Sequence, residues 1–383
     1  MRCCVDAHKL EAGIATVLKE LSSAVAAGNV SQRMVCLSTF GDMQGFYQNY
    51  WQLSVTRGYE AMLALLLEPA DILIAAALDA ESRLQLSAAE SFARAAFRLK
   101  PEQSYELVLA AILRRRGDVG LARIVAEEFL RKQPGNQQAI SELFMCEVAE
   151  YFWPQEHYDL LNLVHAAYHP RVYVEIGVAA GKSLALARKC CRTIGIDPVS
   201  AETGRLLYHS PENIPLLYQM TSDDFFSTQT EEHCHVSHFD LAFIDGLHHF
   251  DQVLKDFINL EKKAGPHSVV LIHDCLPVNP IVASRDATTA FWTGDVWKII
   301  PCLREVRPDL DIVTLPLAPA GLALIRNLNP ASQLLKRHYA RIVDAFQDLS
   351  LPEAWPDRCR LLAVCENAAD FNQKDFFPAG AWI

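Results

Sequence analysis

Apolar residues change their spacing along this chain, and the change divides it. Up to about residue 150 they recur every three or four positions among Ala, Leu and Glu, the period of helices that pack by one face. From about 171 onward they come in short unbroken runs separated by helix-spaced stretches. The runs 171–176, 193–197, 215–220, 239–245 and 268–273 predict strands buried on both faces. Residues 183–189 predict the first crossover helix. Residues 251–263, with Val253, Leu254, Phe257 and Leu260 on one side, predict another, stopped by Gly265. Strands alternating with helices predict a doubly wound α/β sheet. Two last strands, 310–315 and 321–325, are joined by Pro-Leu-Ala-Pro-Ala and read as a hairpin-like pair. The remainder reads as helical, with Phe371, Phe376, Phe377 and Trp382 expected to pack on the sheet domain. The expected domains are therefore 1–150, all helical; 151–330, α/β; and 331–383, a C-terminal helical extension.

The helical region carries a weak repeat. Residues 89–101 (AESFARAAFRLKP) align with 122–134 (ARIVAEEFLRKQP) at an offset of 33, and Pro69 lies 32 residues before Pro101. Each unit pairs a helix (71–84, 104–116) with a second helix ending before the proline, and Gly117-Asp118 makes one inter-helix turn. This resembles degenerate tetratricopeptide repeats, with a plain helical bundle as the alternative. Stacked helix pairs present a concave surface, so a protein partner is the expected use of this region.

The densest chemistry lies in 171–183 (RVYVEIGVAAGKS), followed by Gly195-Ile-Asp197. It reads as a buried strand, a glycine turn, a helix start, and a second strand ending in an acid. Such a unit can hold a nucleoside, because glycines let the backbone approach and the acid grips ribose hydroxyls. Gly177 and Gly181 form G-x-x-x-G; position 179 is alanine, so the dinucleotide fingerprint G-x-G-x-x-G is missing. Gly181-Lys-Ser183 imitates the end of a phosphate-binding loop, but its first glycine is one residue too close. A nucleoside without phosphates follows. Glu175 at the strand end would repel a pyrophosphate and suits an ammonium or sulfonium group. Lys182 reads as a solvent-exposed residue at the helix start.

Composition narrows the classes. The 383 residues suffice for two or three domains, and 51% hydrophobic residues at a mean hydropathy of +0.07 allow sizeable cores. A formal charge of −11 leaves no basic field to attract nucleic-acid phosphates. There is no run of about 18 apolar residues to span a membrane, and the N-terminus makes a poor signal peptide. The 11 cysteines form no C-x-x-C pair and read as reduced thiols of a cytoplasmic protein.

Four segments carry a family resemblance: 174–181 (VEIGVAAG), 195–198 (GIDP), 239–249 (FDLAFIDGLHH) and 268–274 (SVVLIHD). In this order they resemble class I S-adenosylmethionine-dependent methyltransferases, in the branch with D-G-x-H after strand four and H-D after strand five. That branch is related to catechol-type and sugar O-methyltransferases. The resemblance implies a Rossmann-like seven-stranded methyltransferase sheet with a reversed last strand, over about 150–330. It implies that Gly177 and Gly181 wrap the methionine part of S-adenosylmethionine, that Glu175 meets its amino group, that Asp197 accepts from the ribose hydroxyls, and that Ser222 and Asp223 flank the adenine, with Asp245 bordering the same cofactor.

Asp245, His248 and Asp274 stand at the carboxyl ends of predicted strands, where ligands of open α/β sheets lie. In the catechol-type enzymes the two acids hold a magnesium ion that chelates the acceptor, and a basic group three residues past the strand-four acid takes the proton. Here that group is His248, whose unperturbed pKa near 6.5 suits a general base; capping the next helix is its structural alternative. His249 is off the pattern. His273 and Cys275 stand where oxygen ligands would serve magnesium, so Asp245 and Asp274 hold the ion with waters, or a softer ion joins them with His273, or no metal binds. His233, Cys234, His235 and His238 form a cluster read as a zinc site or a solvated loop. Arg285, Asp295 and Trp297 read as acceptor contacts or as a helix start over the core.

These expectations combine into methyl transfer to an oxygen of a small hydroxylated acceptor, such as a sugar or glycan precursor. The rivals are a helical interaction protein carrying a degenerate methyltransferase scaffold, and a nicotinamide oxidoreductase, which the missing middle glycine disfavours.

Overall fold

A computed structural model describes residues 69–99, 105–189, 191–199, 213–228, 236–371 and 376–377. They fall into two compact units divided between Val125 and Ala126. In the first, α1 (Pro69–Ser82), α2 (Leu86–Leu99) and α3 (Tyr105–Arg115) pack in succession. Small residues permit the close approach: Ala77, Ala89, Ala93, Ala96 and Ala110 are fully buried. Side-by-side helices suit a helix-pair repeat and a bundle equally, and Pro101 lies outside the described residues. Helix α4 (Val119–Lys132) straddles the division.

The second unit begins before the boundary expected near 151. Helix α5 (Gln137–Tyr151) places Phe144 and Val148 in the same core as the sheet, which draws it out of the helical region. Asn136 caps it by accepting from the Ala139 N–H at 3.0 Å. Strand β1 (Trp153–Glu156) and α6 (His157–Ala167) follow.

The main sheet contains β2 (Val172–Ile176), β3 (Arg192–Ile196), β4 (Leu216–Tyr218), β5 (Phe239–Ile244), β6 (Ala264–His273), β7 (Asp311–Leu315) and β9 (Leu322–Arg326). Its order is β4-β3-β2-β5-β6-β9-β7, with β9 antiparallel to both neighbours. The strand last in sequence is therefore the reversed one, as expected from the hairpin-like pair. A two-residue strand β8 (Leu317–Ala318) pairs separately with β1. Alternation along the strands builds two cores. Val174, Ile176, Ala242, Ile244, Val270 and Ile272 face α5, α8 (Phe250–Glu261) and α9 (Ile299–Val306). Tyr173, Leu241, Phe243, Val269 and Leu271 face Leu160, Leu161 and Val164 of α6. The central strands β2 and β5 are covered on both sides, as parallel sheets require, whereas the edge strand β4 exposes Leu216 and Leu217.

Three local expectations are corrected. The crossover at 183–189 is only a single 3₁₀ turn, Leu184–Leu186. A helix rises about 1.5 Å per residue against about 3.3 Å for a strand, so so short a return must run extended. Gly265 does not stop α8; that helix ends at Glu261, and Gly265 lies inside the long β6. Among the described residues after β9 the α-helices are short, α10 (Leu334–Arg337), α11 (Tyr339–Phe346) and α12 (Trp355–Leu361); Leu335, Ile342 and Phe346 from them, and Leu362 just after α12, join the first core. Cys146, Cys191, Cys275, Cys302 and Cys359 are buried and form no disulfide. No described helix is long and apolar enough to cross a membrane.

The tips of β2 and β5 meet at Gly177. Its φ is +85°, and a Cβ there would lie 2.0 Å from the Asp245 carbonyl oxygen. Gly177→Ala should therefore destabilise the fold by about 3 kcal/mol through strain and overlap together. A urea midpoint within error of wild type would refute the contact.

Candidate functional site

The loop after β2 starts from the Gly177 N–H, which donates to the Ile196 carbonyl at 2.9 Å. Gly181 has φ +84°, and Ala179 also lies in the left-handed region at +45°. Asp197 sits beneath the loop. Its Oδ2 accepts from the backbone N–H groups of Val178 (2.8 Å) and Ala179 (2.9 Å), and its Oδ1 from that of Val199 (2.7 Å). The acid expected to meet ribose thus holds the glycine turn in shape.

Glu175 has no solvent exposure. Ser183 Oγ donates to one carboxylate oxygen and Tyr173 Oη to the other, both at 2.6 Å. Burial pushes its pKa up to about 8, although both hydroxyls pull the other way. Each of its oxygens thus accepts from one hydroxyl of the protein. On the far side of β3, Ser222 starts the short helix α7 (Ser222–Ser227) and donates to Asp256 Oδ1 at 2.6 Å; Asp223 pairs with Lys255 at 3.1 Å. Burial raises the Asp256 carboxyl to about 6.

The second half of the site is a cluster of two acids and two imidazoles at the tips of β5 and β6. His248 Nε2 lies 3.3 Å from Asp245 Oδ1 and 3.0 Å from Asp274 Oδ2. His273 Nδ1 lies 3.4 Å from Asp245 Oδ1 and 3.4 Å from Asp274 Oδ1. All four residues singled out in the sequence therefore meet. Burial works against charge here, but the opposed charges win. Asp245 is held well below the usual carboxylate range by both imidazoles. His248 and His273 are held above the usual histidine value by the two carboxylates. His248 and Asp274 both have φ of +59°, rare for non-glycine residues and concentrated at functional sites.

Two members of this neighbourhood escaped sequence reasoning. The ring of His157, at the start of α6, lies 4.0 Å from that of His273. Burial, then the nearby charge of His273, lowers His157 to about 3, so it stays neutral. Trp292 stacks on His248 at 5.3 Å and 28°. Neither directly follows a strand of the main sheet, and neither belongs to a motif.

The remaining candidates lie apart from this cluster or in supporting roles. His248 does not cap α8: the N-cap position is His249, and Asp295 Oδ1 accepts the Phe250 N–H at 2.8 Å. Asp295 and Trp297 are buried, Trp297 within the first core, whereas Arg285 is half exposed and bound to Asp251 at 2.7 Å. Lys182 is exposed, pairs with Glu156 and lies over the Tyr158 ring. His238 is exposed, and His233, Cys234 and His235 lie outside the described residues.

Known proteins bear on the same stretch. Residues 174–275 match a family described as "Methyltransferase domain". That segment runs from β2 through the end of β6 and contains both halves of the site. No curated protein matches the chain. Among solved structures, an O-methyltransferase from Bacillus cereus in complex with SAH is 14% identical, covers 53% of this chain and 96% of its own, and gives a TM-score of 0.33. The O-methyltransferase TomG from Streptomyces achromogenes, in complex with SAM, is 18% identical over 52% and 94%, at 0.32. The SAH-bound Podospora anserina methyltransferase PaMTH1 is 14% identical over 53% and 86%, at 0.34.

The Glu175 carboxyl supplies a pH test. Its folded pKa of about 8 exceeds the ordinary 4.5. Between those values the unfolded chain loses the proton while the folded chain keeps it, so stability falls as pH rises through the window. Glu175→Gln removes that slope. The variant's melting temperature should gain on wild type from pH 5 to pH 8; parallel curves would show that Glu175 is not held protonated.

Proposed function

We propose that this protein transfers the methyl group of S-adenosylmethionine to an oxygen of a small hydroxylated acceptor. The observation that carries the reading is the convergence of Asp245, His248, His273 and Asp274 within 3.0–3.4 Å contacts, on a strand tip pressed against the glycine loop. The match of 174–275 to a methyltransferase domain supports the reaction class. The oxygen acceptor, of sugar or glycan-precursor type, rests on the D-G-x-H and H-D pattern at 245–248 and 273–274.

S-adenosylmethionine supplies an electrophilic methyl on a sulfonium, and the residues of this chain do the rest. Gly177 and Gly181 keep the loop backbone open to the methionine part, and Asp197 exchanges loop amides for ribose hydroxyls. Ser222 and Asp223 border the adenine side. Asp245 and Asp274 order the acceptor hydroxyl where His248 Nε2 points. The acceptor oxygen forms its bond to the methyl carbon as the carbon–sulfur bond breaks, and His248, having first released to solvent the Nε2 proton it shares with Asp245 and Asp274, receives the hydroxyl proton. Holding the two reactants in line can account for about 7–11 kcal/mol of the barrier.

The same donors fit a divalent cation. One ligand atom each from Asp245, His248 and Asp274 lies within 4.8 Å of the others, and ligands at about 2.1 Å from one ion stand roughly 3–4 Å apart. Asp245 and Asp274 would hold it, with His248 or His273 as a nitrogen ligand. Such an ion would add charge that acidifies the acceptor hydroxyl.

One observation favours a second reading, a methyltransferase fold retained as a scaffold beside a helical interaction region. The oxygens of Glu175 and Asp197 are already taken by groups of the protein. Titration calorimetry separates the two. Binding of S-adenosylmethionine, weakened some tens-fold by Asp197→Ala, supports the enzyme; no heat at millimolar cofactor supports the scaffold. With the cofactor bound, His248→Ala should depress product formation at least a hundredfold, read as a +14 mass shift on the acceptor, and leave cofactor affinity unchanged. Turnover untouched by chelators would exclude the metal.

A further inference from the structure

The imidazole of His248 is placed by a segment that the pattern at 245–248 does not contain. Three consecutive contacts run from 292–295 onto 248–250. The Trp292 indole stacks on the His248 ring at 5.3 Å and 28°. Gly294, at φ +65°, presses on the His248 carbonyl so closely that a Cβ would lie 1.9 Å from its oxygen. Asp295 Oδ1 accepts the Phe250 N–H at 2.8 Å. The segment is itself fixed from outside: Trp292 Nε1 donates to the Ser284 carbonyl at 2.7 Å, and the Thr293 N–H and hydroxyl both reach the Val282 carbonyl, at 3.0 and 2.9 Å.

A left-handed backbone at a histidine is strained and persists only where surroundings impose it. Gly294 and Asp295 impose it on the backbone of 248–250, and Trp292 covers one face of the ring. The ring is left to turn its Nε2 toward Asp245 and Asp274. Its Nδ1 is buried and finds no hydrogen-bond partner among the described residues, so stacking rather than a hydrogen bond steadies that side.

We propose that the segment from Trp292 to Asp295 is a clamp that orients His248, with Trp292 as its positioning residue. The assignment rests on the proposed methyl transfer for its kinetic consequence but not for its structural one.

The test uses the full chain labelled with ¹³C at histidine Cε1, with His248→Ala assigning the resonance. In wild type the indole should shift the His248 Hε1 signal away from the ordinary histidine position. Trp292→Leu should abolish that shift, lower kcat at least tenfold and leave the S-adenosylmethionine Kd within twofold. Trp292→Phe, which keeps an aromatic face but loses the Nε1–H bond to Ser284, should keep part of the shift and about a third of the turnover. If Trp292→Leu does not fold, Trp292→Phe decides: an unchanged signal and unchanged kcat overturn the clamp. The same pair of unchanged values in Trp292→Leu overturns it directly. Should wild type show no methyl transfer, the proposed function fails separately, and the resonance shift alone judges the clamp.

Discussion

The site depends on one steric contact, the tip of β2 against the tip of β5. Asp245 N–H donates to the Ile176 carbonyl at 2.8 Å, and the Asp245 carbonyl occupies the space that a side chain at 177 would need. These contacts put the glycine loop and the acidic cluster side by side. Parallel pairing of β2 with both β3 and β5 then brings Asp197 to one side of Gly177 and Asp245 to the other. The crevice is thus a consequence of sheet order, since ligands of open α/β sheets lie where adjacent crossovers leave in opposite directions.

Charge is the second constraint. Two carboxylates held this close in a half-covered crevice repel each other, and each loses hydration. Four titratable side chains resolve the conflict among themselves: His248 and His273 each approach both acids. His157, whose ring is tilted against that of His273, remains uncharged and adds no further repulsion. With both imidazoles charged the two acids are balanced, so a cation could enter the cluster only by displacing protons from the histidines. Elsewhere buried acids are neutralised by other means. Glu175 keeps its proton, and Glu261 takes a two-pronged ion pair from Arg307 at 2.7 and 2.8 Å.

How much of this was legible in the sequence follows from how local each cause is. Strands buried on both faces declare themselves by apolar runs, so the observed ends fall close to the expected ones; the long early start of β6 is the main departure. Asp245, His248, His273 and Asp274 were legible because a residue at a strand tip has its direction decided by the strand. Gly177 was legible because only glycine tolerates the approach. Trp292, His157 and the capping role of Asp295 were not, because each acts across a contact between segments far apart in sequence. The amide contacts of Asp197 were hidden for a different reason. A strand-end acid next to a glycine turn has two sets of donors within reach, ribose hydroxyls and the turn's own amides, and the motif does not distinguish them. The membership of α5 in the sheet unit was hidden too, since Phe144 and Val148 have the spacing of any amphipathic helix.

The C-terminal extension completes the same logic of distant support. Arg358 is buried, and its guanidinium donates to the carbonyls of Pro277 and Val278, directly after the Asp274 tip, and to those of Pro352 and Glu353 in the extension. The Trp355 ring stacks on Tyr151 of α5 at 4.5 Å, and Arg358 lies over Trp355. The loop that leaves β6 is therefore anchored at its start by the extension. Asn279, a little farther along, donates to Glu147 of α5 at 2.8 Å. From there the chain reaches Val282 and Ser284, the two carbonyls that hold the Trp292 segment. A guanidinium bonded to carbonyls is an expensive group to bury, and burial lowers its hold on the proton. Its retention makes sense where the loop must be rigid, because a mobile loop would release the indole that orients His248. On this reading the extension and α5 belong to the sheet unit as firmly as the strands do, and the segment matched at 174–275 is the part of that unit that carries the clustered acids and imidazoles rather than the whole of it.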